Sequence, residues 1–512
     1  MRLKSLTSQE VSIIDKKKIY CYEKSDSYLS ELLDKYDLLD NIVAIIDDFK
    51  RNQGVFCLNG KKIDIVGTEY LENVDFSDAT ILITSDYYKE AFDKLSSISN
   101  VSNSLDVIYF YANRETEIEL EYREKYENRE LEDIIVFRSG PHASSYVPGM
   151  DFSDNARALF EYMLSKKYNE KYELVWLVKN PDEFARYNQY KNVRFLSFDW
   201  SMSDNLDERD EYYRVLCHAK YFFFTDAYGF ARNCREDQIR VQLWHGCGFK
   251  TRVNFVRCEK RYEYTTVISD LYARIHADIY GLRDDQVLIT GYAKQDWLFH
   301  PISEEKLQVL GVPKGKKYIF WLPTFRTAKE SLVQLNEQQL ESETGLPIIY
   351  TKEMMRYVDE ILEQNDMVLV IKLHPFQDRK MVHCDDYKNI VLLENEQLLN
   401  ADVQINEVLG WADALISDYS SAAVDYLLLN RPMAFTLDDV EEYESSRGFV
   451  FDPIRDWLPG VEVYNAEDFC GYIEEIAAGI DRSQKKRNAI RNQMYRYFDD
   501  GNCERILETL EI

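Results

Sequence analysis

No window of this 512-residue sequence reaches the roughly 18 consecutive apolar residues that a membrane-crossing helix requires, so no such helix is expected. The opening residues, MRLKSLTSQE, also lack the apolar stretch of about 7 to 15 residues that marks a secretory signal. No two cysteines stand in a C-x-x-C pair. The nine, at 21, 57, 217, 234, 247, 258, 384, 470 and 503, are scattered and odd in number, which points to free thiols in a reducing cytoplasm rather than a disulfide framework. Basic residues are scarce as well: 62 Lys and Arg against 90 Asp and Glu leave a formal charge of -28. A general nucleic-acid binder needs a basic footprint that neutralises phosphates, so no nucleic-acid partner is expected, and an anionic ligand would require a local basic pocket. The glycine-rich G-x-x-x-x-G-K-S/T loop is missing too, which argues against an ATP-dependent kinase. The protein is expected to be cytoplasmic or to sit on the inner membrane surface.

What is present is ample material for burial, 45% hydrophobic and 14% aromatic residues, over a length that predicts about three domains. From Lys18 to Ser85 the pattern predicts a strand (Ile19 to Tyr22), a helix (Ser27 to Tyr36), a strand (Ile42 to Ile46), a turn at Asp47-Asp48 and a strand (Ile81 to Thr84), which together make a small Rossmann-like unit. Its first turn, Glu23-Lys24-Ser25-Asp26-Ser27, has no glycine to admit a pyrophosphate and favours a structural or docking module. The charged stretch Arg114 to Glu132 reads as an exposed helix or linker and closes an accessory domain of residues 1–130. Strands are expected at Ile134 to Phe137, Leu174 to Val178, Tyr221 to Thr225, Ile239 to Leu243 and Thr265 to Ile268, with helical segments such as Asn155 to Leu164 between them. The pattern restarts after Pro301 with Tyr318 to Leu322, Met367 to Leu373, Ala414 to Ile416 and Met433 to Thr436. Such alternation predicts two successive doubly wound α/β domains, 131–300 and 301–512, facing across a cleft. The final segment, Ala466 to Ile512, reads as helical and is expected to pack back across the domain boundary.

Two of the seven histidines follow strand-like runs, in Gln242-Leu243-Trp244-His245-Gly246 and Ile371-Lys372-Leu373-His374-Pro375. A strand's carboxyl end is where open α/β sheets bind ligands. A neutral imidazole at His245 could take a proton from an attacking hydroxyl, and the glycines of His245-Gly246-Cys247-Gly248-Phe249-Lys250 permit a tight turn at which backbone N–H groups and Lys250 meet an anion. A core or helix-capping histidine would fit the same spacing. His374 could neutralise phosphate charge or protonate a leaving group, or be an ordinary hydrogen-bonded histidine; Lys372 precedes it on the strand. The turn Ser417-Asp418-Tyr419-Ser420-Ser421 leads into a helix, whose free N–H groups and positive dipole end can hold phosphate oxygens, although most serine-capped helices bind nothing. Thr324 and Arg326, closing another strand, supply a hydroxyl and a guanidinium suited to phosphate, as Arg447 does near Asp439-Val440-Glu441-Glu442; surface ion pairs would explain the arginines equally well.

Taken in order, these elements resemble the CDP-glycerol glycerophosphotransferase family, the teichoic-acid primases and polymerases, over Phe137 to Asp452. The family's His-Gly-Thr-Pro-x-Lys appears as His245 to Lys250 without the Thr-Pro pair. Its Gly-Tyr-Pro-Arg-x-Asp resembles Gly291-Tyr292-Ala293-Lys294-Gln295-Asp296, and its Ala-Pro-Thr-Phe/Tyr-Arg resembles Leu322-Pro323-Thr324-Phe325-Arg326. The resemblance implies a GT-B-like pair of Rossmann-like domains, preceded here by the small N-terminal one. It implies His245 and His374 as the catalytic histidines, with Gly246, Lys250, Thr324, Arg326, Lys372, Ser417, Asp418, Ser420, Ser421 and Arg447 around the substrate.

The implied reaction moves glycerol phosphate or ribitol phosphate from a CDP-alcohol to a hydroxyl of a lipid-linked, teichoic-acid-like or capsular acceptor, releasing CMP. A GT-B glycosyltransferase using a nucleotide sugar, or a non-catalytic scaffold of the same pathway, are the alternatives. No motif calls for a cofactor or a resident metal, although a diphosphate donor could bring its own Mg²⁺. Six basic residues and no acid between Arg482 and Arg496 offer a contact for anionic headgroups at the inner membrane surface, or simply a solvated basic face.

Overall fold

The computed structural model describes residues 1–48, 52–140, 148–225, 230, 235–251, 261–323, 342–373, 382, 386–446 and 448–512. Among these, no helix is long and apolar enough to cross a membrane. Packing divides the chain into two compact units, one of residues 1–132, 198–219 and 229–238, the other of 133–197, 220–228 and 239–512.

The first unit holds a seven-stranded sheet of β1 (Arg2–Ser5), β2 (Lys18–Tyr22), β3 (Ile42–Ile46), β4 (Gly54–Leu58), β5 (Lys61–Val66), β6 (Ala79–Ile83) and β7 (Val107–Phe110), in the order β1-β7-β6-β2-β3-β5-β4. All pairs run parallel except β4 with β5. That hairpin, which the strand expectations omit, turns on Asn59-Gly60, both at positive φ (+49° and +85°), as a two-residue turn matched to strand twist requires. Separate apolar clusters cover the two faces of the sheet, around Ile81 and Leu95 on one and Ile45 and Leu29 on the other. The charged stretch after β7 is a helix, Arg114–Tyr126, with a buried side: Tyr122 stacks on Tyr213 of the helix Leu206–His218 at 4.6 Å.

The second unit contains two sheets. One comprises β8 (Glu132–Arg138), β9 (Glu173–Val178), β10 (Val193–Ser197), β11 (Ala219–Phe224), β12 (Ile239–Gln242), β13 (Tyr264–Val267) and β14 (Val287–Ile289), ordered β10-β9-β8-β11-β12-β13-β14. The other comprises β15 (Lys317–Leu322), β16 (Met367–Lys372), β17 (Ile390–Leu393), β18 (Ala414–Ser417), β19 (Met433–Thr436) and β20 (Val461–Val463), ordered β17-β16-β15-β18-β19-β20 and parallel throughout. In each, strand order reverses beside the first strand, which opens a crevice at the carboxyl ends there. Buried apolar runs such as Met367–Lys372 suit strands covered on both faces. The chain's last helix, Asn502–Thr509, returns to the β8–β14 sheet, where Cys503, Ile506, Leu507 and Leu510 join the core of Phe137, Phe160 and Trp176.

Candidate functional site

His245 stands three residues beyond β12 on a strained turn. Trp244 adopts φ +56° and Gly246 φ +129°, the first uncommon for a bulky side chain and the second open mainly to glycine. The half-buried imidazole lies over the Trp244 indole, ring centroids 4.5 Å apart and planes 26° apart. Beneath it His276 meets the same indole edge-on at 5.9 Å; burial first, and His245 second, push its pKa down to about 3, so it packs as a neutral ring. Cys247, where the family element has threonine, turns inward, its Sγ 3.1 Å from the Tyr292 hydroxyl and 3.7 Å from His276 Nε2.

Three consecutive carbonyls of this turn are held from below. Asn155 Nδ2 donates to Leu243 O (3.1 Å) and Trp244 O (2.8 Å), and Lys294 Nζ donates to His245 O (2.6 Å). Lys294 also meets Asp154 Oδ2 at 3.1 Å and Asp425 Oδ2 at 3.6 Å. Burial pushes its pKa down, but Asp154 and Asp425 outweigh that and hold it above an ordinary lysine, so it is a buried cation. Asn155, Lys294 and Asp425 are absent from the residues picked out by sequence. Lys294 carried a usable signal in its place within Gly291 to Asp296, and Asp425 lies in the helix that the serine turn opens, whereas Asn155 comes from a helix with no motif of its own.

The histidine turn packs against the serine turn of the other sheet. A Cβ added to Gly246 would lie 3.2 Å from Ser421 Cβ, and one on Gly248 would lie 3.5 Å from the same atom. Ser420 caps the helix Ser421–Leu427 by accepting from Ala422 N (3.3 Å). Lys250 forms an antiparallel bridge with Phe449, flanked by Val450 N donating to Phe249 O (2.9 Å), and its Nζ lies 5.7 Å from the Tyr443 ring centroid. Replacing Gly246 by alanine combines a conformation forbidden to L-residues with contact to Ser421. An expected destabilisation of about 2 kcal/mol, read by urea titration, should accompany loss of whatever activity His245 supports.

A cavity of about 530 Å³ opens between the two sheets, lined by Ser153, Arg157, Pro323, Lys372, Asp402 and Ser420 among others. Lys372 is buried and donates to Leu373 O (2.7 Å) and Asn395 Oδ1 (2.6 Å); burial pulls its pKa down to about 8. Arg157 and Arg186 reach across to Asp402 at 3.0 and 2.9 Å. Ser417 is fully buried and donates its hydroxyl to Leu322 O (3.1 Å), so that side chain faces β15, and Asp418 is fully buried beside it. The structure thus joins His245, Gly246, Lys250, Ser420 and Ser421 in one neighbourhood and sets Lys372 on the cavity wall. His374, Thr324, Arg326 and Arg447 lie outside the described residues.

The basic stretch near the C-terminus is largely engaged within the fold. Arg487 is fully buried against Asp481 (3.0 Å) and Asn430, Arg482 pairs with Glu475, Arg496 meets Asp270 at 3.4 Å, and Lys486 and Arg491 donate to the carbonyls of Arg455 and Leu428. Among the remaining histidines described, His218 bonds Arg214 O and His300 bonds Asp500. No cluster of His, Cys, Asp or Glu among the described residues has the geometry of a metal site.

Comparison with known proteins gives this arrangement a lineage. The teichoic acid ribitol-phosphate polymerase TarL of Staphylococcus aureus is 25% identical over 315 residues, which cover 58% of this chain and 52% of TarL; the chain thus spans about half the length of that relative. The teichoic acid glycerol-phosphate primase of Bacillus subtilis is 24% identical over 388 residues, 71% of this chain and 90% of the primase. Among solved structures, the wall teichoic acid polymerase TagF superposes with a TM-score of 0.58 at 20% identity, covering 78% of this chain and 92% of that one, and so shares its GT-B-like fold. The sequence pattern of the CDP-Glycerol:Poly(glycerophosphate) glycerophosphotransferase family matches residues 134–512, and the chain belongs to that family.

Proposed function

We propose that this chain is an enzyme that transfers a polyol phosphate, glycerol phosphate or ribitol phosphate, from a CDP-alcohol to a hydroxyl of a lipid-linked polymer acceptor. The observation that carries the reading is the contact of the His245 turn with the Ser420-Ser421 helix start, which brings the proposed base from one sheet to a helix N-terminus of the other, where Ser420 lines a cavity. In the proposed reaction the acceptor oxygen attacks the polyol-side phosphorus, its proton passes to His245, and the bond from that phosphorus to the bridging oxygen breaks to release CMP. Positioning and charge stabilisation dominate such transfers. The helix start and Lys372 are the described groups suited to the diphosphate, and His374, Thr324, Arg326 and Arg447 are proposed to join them. No resident cofactor enters the reading; Mg²⁺ would arrive bound to the donor. A lipid-linked acceptor would place the working enzyme at the inner membrane surface.

Lys372 gives this reading a pH signature. With a pKa near 8 its ammonium is charged at neutrality and loses its proton as pH rises through 8. The kcat/KM for the donor, which reports the free enzyme, is expected to fall above pH 8. In Lys372→Met it should start lower at pH 7 and lack that descending limb.

The deciding experiment is CMP release from CDP-glycerol and, separately, CDP-ribitol with crude membrane acceptor. Release that depends on His245 supports the transferase and ranks the donors. No CMP from either, with nucleoside diphosphate released from a nucleotide sugar, would replace it with a glycosyltransferase.

A further inference from the structure

We infer that Lys294 is a positioning residue for His245, working with Asn155, and that Asp425 from the opposite side of the cleft completes the device. The inference rests on the proposed transfer reaction and adds to it the element that fixes the base.

The carbonyls of Trp244 and His245 accept from Asn155 Nδ2 and Lys294 Nζ respectively, and that of Leu243 accepts from both Asn155 Nδ2 and Thr266 Oγ1, each at 3.1 Å. Asn155 and Lys294 are themselves joined, because Lys294 N donates to Asn155 Oδ1 at 3.0 Å. A left-handed tryptophan persists only where its surroundings over-determine the backbone, and the clamp acts there together with Gln242 Oε1, which accepts from Trp244 N at 3.1 Å. Asn155 and Lys294 are buried, so bulk water does not compete for these bonds.

Lys294 does more than fill a hydrogen bond. Its ammonium meets acceptors from three separate segments: the His245 carbonyl, Asp154 at the start of the helix Asp154–Ser165, and Asp425 in the helix Ser421–Leu427. Asp425 is held in place by Gln295 Nε2 at 2.7 Å. Its helix begins with Ser421, the residue against which Gly246 packs. One buried cation therefore ties the turn that carries the base to the helix start proposed to hold the donor. A compact ammonium with three donors suits acceptors lying in different directions. Arginine, which the family element carries at this position, keeps the charge and has five donors in a planar fork.

The test compares Lys294→Arg, Lys294→Met and the charge-neutral pair Lys294→Met/Asp425→Asn, the last included because Lys294→Met alone strands the buried Asp425 carboxylate. Each is checked for melting temperature, kcat of CMP release and KM for CDP-glycerol. Expected are a kcat lower by about a hundredfold in the methionine variants, as slight misplacement of a reacting group produces. The KM should stay within about threefold of wild type, and Lys294→Arg should recover most of the activity. A folded double variant with wild-type kcat would overturn the inference and make Lys294 a packing residue. If the wild type releases no CMP from any CDP-alcohol, the transfer reading fails by itself. Positioning is then read from the His245 ring signal of ¹³C-histidine-labelled protein, identified with His245→Gln. A selective shift of that signal in the double variant upholds the clamp, and an unmoved signal refutes it.

Discussion

His245→Ala is expected to reduce CMP release by about a hundredfold or more, the usual scale for removing a general base, while leaving the fold intact. The two effects separate because the imidazole is half-buried and stacks on the face of Trp244, whereas the turn beneath is held through backbone carbonyls that alanine retains. Losing one ring-stacking contact costs on the order of 1 kcal/mol, a small shift in melting temperature. A variant that melts as wild type does and still transfers polyol phosphate at more than about a tenth of the wild-type rate would remove His245 from the chemistry. His374→Ala, assayed beside it, is expected to lose activity on the same scale; full activity there would leave the proton transfer to His245 alone.

Arg487→Ala should have the largest effect on stability. The guanidinium has no solvent exposure and is paired in two places with Asp481, with Nε 3.3 Å from Asn430 Oδ1. Removing the buried guanidinium leaves the half-buried Asp481 carboxylate without its partner, which costs about 3 kcal/mol, the low end for breaking a buried pair. Thermal unfolding should move down by roughly 4 °C. Arg487→Met/Asp481→Asn removes both charges and should recover much of the loss. If it does not, the pair contributes specific packing rather than charge compensation. Because this arginine braces the helix Gln484–Met494 against the β15–β20 body, CMP release measured well below the transition should change little.

The strands that sequence located are those with long apolar runs, and β3 (Ile42–Ile46) and β19 (Met433–Thr436) fall where the pattern sets them. Strands such as β14 (Val287–Ile289) and β20 (Val461–Val463) are three residues long and become strands only by pairing with β13 and β19, information that no local window contains. The six basic residues between Arg482 and Arg496 show the same limit with charge. Within the window they look uncompensated, yet acids and carbonyls outside it, some as far away as Asp270, meet most of them.

By itself, then, the sequence determined the two doubly wound sheets, the His245 turn and the serine turn, because apolar runs ending in glycine, proline or serine are local signals of strand ends and helix starts. Tertiary structure alone decided that Gly246 lies on Ser421, that the Ser417 hydroxyl faces Leu322, and that Asn155, Lys294 and Asp425 converge beneath His245. Those three residues are spread over 270 positions of chain, and what makes them a unit is burial: a lysine in the core must find its carboxylates, whatever their distance in sequence.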